Sequence, residues 1–105
     1  MKIITAPYPV SLEVFTDTDA FRKRYKKLKG VEPDLTDTNG LTAYSGSTCL
    51  IGVFTNDIIT MVHEINHFCL WVFDYIGLPV NTMHSEAYCY YHDHILVQTL
   101  RLLDV

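Results

Sequence analysis

The stretch "TMVHEINHFCLWVF", Thr60 to Phe73, sets His63 and His67 four residues apart and puts Glu64 directly after the first histidine. On a helix, residues i and i+4 share a face about one turn apart, so two imidazoles at that spacing can reach one tetrahedral metal ion. Glu64 falls about 100° round from His63, beside the pair rather than opposite it. A carboxylate there can take a proton from a metal-bound water. That is the chemistry of the H-E-x-x-H pattern, and it requires the segment to be helical.

The flanking residues predict a helix. Ile58, Ile59, Met61, Val62, Ile65, Phe68, Cys69, Leu70, Trp71, Val72 and Phe73 make it apolar nearly all round, and such a helix is buried. Two histidines and a glutamate buried without partners would be costly. A metal ion with a water would satisfy them; the plainer alternative is a set of hydrogen bonds to protein groups in the core. Thr55 or Asn56 is the expected cap, with Asp57 in the first turn. Gly77 and Pro79 end the helix near Ile76.

The remaining elements must position this helix. Lys2 to Ala6 and Ser11 to Phe15 read as short strands around a Pro7–Pro9 turn. "DTDAFRKRYKKLKG" reads as a helix capped by Asp17 or Thr18 and stopped by Gly30, with Phe21, Tyr25 and Leu28 as its buried stripe. Its basic residues read as a solvated face. "VEPDLTDTNG" is a loop. "LTAYSGSTCLIGVF" reads as a hairpin turning at Ser45–Ser47, its second strand Thr48 to Phe54. A last helix runs from about Asn81–Ser85 to Leu103. The fold class is α+β: a small sheet of N-terminal strands plus hairpin, packed against the basic helix, the H-E-x-x-H helix and the C-terminal helix. At 105 residues the chain, residues 1–105, is one domain.

A catalytic zinc usually has three protein ligands and one open position. From His67 the helix runs on for about 15 Å, and an extended link of a few residues recovers about that distance. The first turns of the last helix can then face the pair, which favours His84 or Glu86 among the downstream candidates.

"HEINH" followed by "GLPVNTMHSEAYCYY" resembles the gluzincin type of zincin metallopeptidase, in which a second helix carries a glutamate ligand. It is similar in particular to small zincin-like metallopeptidases encoded by tailed bacteriophages, over Thr55 to Val97. The resemblance implies Zn2+ held by His63, His67 and Glu86, with Glu64 as general base and acid. It also implies that the strand Thr48–Phe54 forms the cleft edge and pairs with an extended peptide. Gluzincins commonly carry an aspartate four residues after the glutamate ligand, where this chain has Tyr90. A helical wheel puts Tyr90 about 40° and Asp93 about 20° from Glu86. Asp93 is therefore the candidate to accept the free N–H of a ligand histidine, and Tyr90 the phenol with the best angle to stabilise an oxyanion.

A net charge of −4 gives no basic footprint for nucleic acid. No uninterrupted apolar run is long enough for a membrane span, and no secretory signal is visible. Cys49, Cys69 and Cys89 form no close pair, as expected of reduced thiols in a cytosol-like compartment. The function expected is hydrolysis of a peptide or protein substrate in the cytoplasm, that of the host cell if the chain is phage-encoded. The alternative is a catalytically silent, zinc-stabilised protein that binds a host or virion partner, its metal closed off by His84 or a cysteine.

Overall fold

Alternation and continuity of apolar residues decide which strands lie inside the sheet. In β1 (Lys2–Ile3) and β2 (Ser11–Phe15), Ile3, Leu12 and Val14 are buried and their neighbours are less so. β3 (Gly40–Ser45) buries only Ala43. In β4 (Thr48–Val53) every residue after Thr48 is buried, the signature of a strand covered on both faces. The computed structural model describes residues 1–104 and arranges these strands in the order β1-β2-β4-β3. β2 and β4 run parallel, with Leu12 beside Cys49 and Val14 beside Ile51. β1 joins β2, and β3 joins β4, antiparallel. The hairpin turns at Gly46, whose φ of 60° only glycine adopts freely.

Three helices cover the sheet, making the chain α+β. The crossover from β2 toward β4 contains α1 (Thr18–Lys29), capped by Asp17 and closed by Gly30 at φ 79°. Phe21 is its fully buried residue. It packs 5.4 Å from the ring of Phe54 and 5.9 Å from that of Phe15. Arg24 is not part of a free basic face: it forks onto Glu13 of β2, with Nη2 to Oε2 at 2.8 Å.

The opposite face of the sheet carries α2 (Ile58–Tyr75) and α3 (Ser85–Thr99), followed by a short 3-10 turn, Leu100–Leu102. Leu12, Val14, Cys49, Ile51 and Val53 meet Met61, Ile65, Phe68, Cys69, Val72 and Phe73 of α2 and Tyr91 and Ile95 of α3 in one buried cluster. No described helix is long and apolar enough to cross a membrane.

The cap of α2 is Asp57, whose carboxylate accepts from Ile59 N at 2.9 Å and Thr60 Oγ1 at 3.0 Å. Asn56, expected as a cap, sits at φ 49° and does something else. Its amide exchanges two hydrogen bonds with the backbone of Asp104, tying the end of the chain to the start of α2.

Candidate metal centre

α2 brings His63, Glu64 and His67 together. The two Nε2 atoms are 3.2 Å apart, with the rings edge to face. Two nitrogens on a tetrahedral zinc at about 2.0–2.1 Å stand about 3.3–3.4 Å from each other, so the pair has the separation that a shared zinc needs. Both rings reach solvent, whereas Glu64 is only 6% exposed. Its Oε2 lies 3.9 Å from His63 Nε2. Its Oε1 accepts a hydrogen bond from Thr42 Oγ1 at 2.8 Å.

Thr42 belongs to β3, and every second residue of that strand meets α2. At Gly40 a side chain would stand 2.8 Å from Thr60 Cγ2 and 3.0 Å from Glu64 Cγ, so only glycine allows so close an approach. Thr42 bonds Glu64. The ring of Tyr44 stacks on Trp71 at 5.2 Å and 7°. Two hollows of about 410 and 300 Å³ share Gly40, His63 and Glu64 and together make a trough along this strand. The first extends over Asp37 and Asn39, the second over Tyr44 and His67.

This arrangement corrects one expectation. The strand Thr48–Phe54 is not the cleft edge: β4 has β2 on one side and β3 on the other. Its unbroken apolar run demands cover on both faces and puts it inside the sheet. β3 is the edge strand beside the histidines. Sequence reasoning missed Gly40, Thr42 and Tyr44. Their signal is the alternation in "GLTAY", meaningful only once β3 is known to lie over α2.

α3 does not deliver the residues expected of it. Glu86, Tyr90 and Asp93 do share a face, but it is the outward one. The buried residues Tyr91, Ile95 and Thr99 lie about 140° to 220° round the helix from Glu86. Glu86 and Asp93 are exposed, and Tyr90 is 69% exposed. Tyr90 lines a separate hollow with Pro7, Tyr8 and His94. The ring of His84 is held by Asn81, with Nδ1 3.2 Å from Oδ1. Among the described residues no three His, Cys, Asp or Glu side chains gather into a metal-binding group. The two imidazoles stand at a separation that two ligands of one metal ion can share, and neither Glu86 nor another described carboxylate, thiol or imidazole completes a group of three with them.

The other phenols have structural partners. Tyr88 donates to Asn66 Oδ1 and Tyr91 to Thr5 O at 2.9 Å. Burial pushes both phenols up, Tyr88 to about 12. Burial also raises the thiols of Cys49 and Cys69, the latter to about 12, while Cys89 is exposed.

No protein-family model, curated protein or solved structure matches this chain.

Proposed function

We propose that the chain is a zinc-dependent metallopeptidase that hydrolyses peptide bonds with Glu64 as general base. One observation carries the reading: two imidazole Nε2 atoms 3.2 Å apart beside a buried carboxylate that keeps one oxygen toward them. His63 and His67 would hold the metal through these atoms. When bound, zinc lowers the pKa of a coordinated water and polarises a substrate carbonyl.

The chain's own residues do the rest. Glu64 Oε2, on the side of the histidines, takes a proton and passes it to the leaving amine. The outer edge of β3 offers backbone groups to an extended peptide lying in the trough, in the manner of strand addition. Tyr44, its ring stacked on Trp71, lines one end of that trough. The competing reading, a zinc-stabilised binding protein, needs His84 or a cysteine to close the metal. It has less support, because His84 is engaged by Asn81, Cys49 and Cys69 lie in the core, and neither His84 nor Cys89 gathers with the histidine pair among the described residues.

The test is Glu64→Gln, which preserves shape and the Thr42 contact. Zinc affinity, read by chelator competition, is expected to be unchanged, while cleavage of a peptide library falls by about 10²–10⁴-fold. Equal cleavage by variant and parent would remove Glu64 as the base.

A further inference from the structure

We infer that Thr42 is the positioning residue for Glu64, its hydroxyl fixing which carboxylate oxygen is free to handle the proton. The inference rests on the peptidase reading and adds how the base is held.

The last torsion of a glutamate is broad and nearly two-fold, so an unrestrained carboxylate exchanges its oxygens freely. Here one oxygen is tied. Thr42 Oγ1 stands 2.8 Å from Oε1 and 3.2 Å from the backbone oxygen of the same residue. Among the described residues it is the one hydroxyl that donates to Glu64. Oε2, left without such a donor, is the oxygen 3.9 Å from His63 Nε2.

The anchor itself is rigid. Threonine is restricted at χ1 by its β-branch. Thr42 also sits in the middle of β3, paired with the buried Ile51 of the interior strand β4. Close packing adds to the restraint. Gly40, two residues earlier, brings the strand backbone against Glu64 Cγ. The carboxylate is thus gripped by an edge strand from a different part of the chain, and a hydrogen bond to a buried charge is among the stronger ones.

Two variants separate the role of the hydroxyl from that of shape. Thr42→Val keeps the volume and loses the donor; Thr42→Ser keeps the donor. In the zinc-loaded protein, Thr42→Val is expected to lower kcat by about 10- to 100-fold through misplacement of the base. KM and zinc affinity should stay at parent values, and Thr42→Ser should return kcat to within a few-fold. Parent-like turnover by Thr42→Val overturns the inference and leaves the peptidase reading standing.

Thermal melts of the zinc-free protein give a second readout that needs no activity. Thr42→Val should lower Tm by about 6 °C or more in the parent and have little effect in a Glu64→Met background. Equal losses in both backgrounds overturn the inference. If the parent cleaves no peptide, the peptidase reading fails, and the melts still decide whether Thr42 holds Glu64.

Discussion

Substituting Gly40 by alanine tests the contact between β3 and α2 directly. A Cβ there would stand 2.8 Å from Thr60 Cγ2, 3.0 Å from Glu64 Cγ and 3.0 Å from the backbone oxygen of Gly52. Carbon atoms in contact prefer about 3.5–4.0 Å, so about half an ångström or more must be found. None of the three neighbours yields easily. Thr60 is fixed by its 3.0 Å bond to the cap Asp57, Glu64 by Thr42, and Gly52 by its place in the central strand. Overpacking of this kind costs about 1–3 kcal/mol. Removing a glycine from the unfolded chain returns about 0.4–1 kcal/mol. From the middle of each range the net loss is about 1.3 kcal/mol, which lowers Tm by about 5–10 °C for a chain of this size.

The control is Gly46→Ala in the hairpin turn. It has open space around it but a φ of +60°, so it loses about 1 kcal/mol to backbone strain alone. The two variants differ at the site. Gly40→Ala should also shift the Thr60 methyl resonance and reduce peptide turnover, whereas Gly46→Ala should leave both at parent values. A Gly40→Ala protein that melts at or above the parent temperature with an unmoved Thr60 methyl would refute the packing of β3 on α2.

Other outcomes follow from the same geometry. His63→Ala and His67→Ala should each abolish stoichiometric zinc binding in equilibrium dialysis, while Glu86→Ala should leave it intact, because Glu86 is exposed on α3 and does not gather with the pair. Retained binding in either histidine variant would contradict the shared site. A thiol reagent at pH 8 should modify one cysteine quickly in the native protein, Cys89, and three after denaturation. Stability should also fall in alkali. The unfolded thiols lose their protons near 9.0, while in the folded state Cys69 holds its proton to about 12 and Cys49 is raised as well. The unfolded state therefore binds fewer protons over that range, so this contribution is complete below about pH 9 and is lost as pH climbs. Denaturant midpoints that do not change between pH 8.5 and 11 would refute it.

Much of the local structure is legible in the residues. Asp17 and Gly30 bracket α1, and the turn at Ser45–Ser47 is where the hairpin bends. The H-E-x-x-H segment is helical as its apolar residues suggest, but it is covered on one side only: Met61, Ile65, Phe68, Cys69, Val72 and Phe73 are buried, whereas Ile59, Leu70 and both histidines, expected inside, face solvent. The spacing of His63 and His67 then sets the distance between their nitrogens, and Glu64 follows beside them. These are consequences of helical periodicity, which operates within a few residues. The same periodicity shows that Glu86, Tyr90 and Asp93 lie together on α3. It cannot say which way that face points, and here Tyr91, Ile95 and Thr99 take the inward side.

The cap of α2 shows how narrow the margin can be. Asn56 and Asp57 both suit the role by type, and the choice falls to Asp57 because Asn56 is drawn to the backbone of Asp104, nearly half the chain away. The sequence by itself determined the histidine pair, its adjacent carboxylate and the helix that carries them, since all three depend on contacts one turn apart. Only the tertiary structure decided what stands over that helix. Parallel pairing of β2 with β4 puts β4 inside the sheet and leaves β3 at its edge, so Gly40, Thr42 and Tyr44 become the wall of the site. Strand order is a long-range choice made by the burial of whole faces, and no local spacing records it.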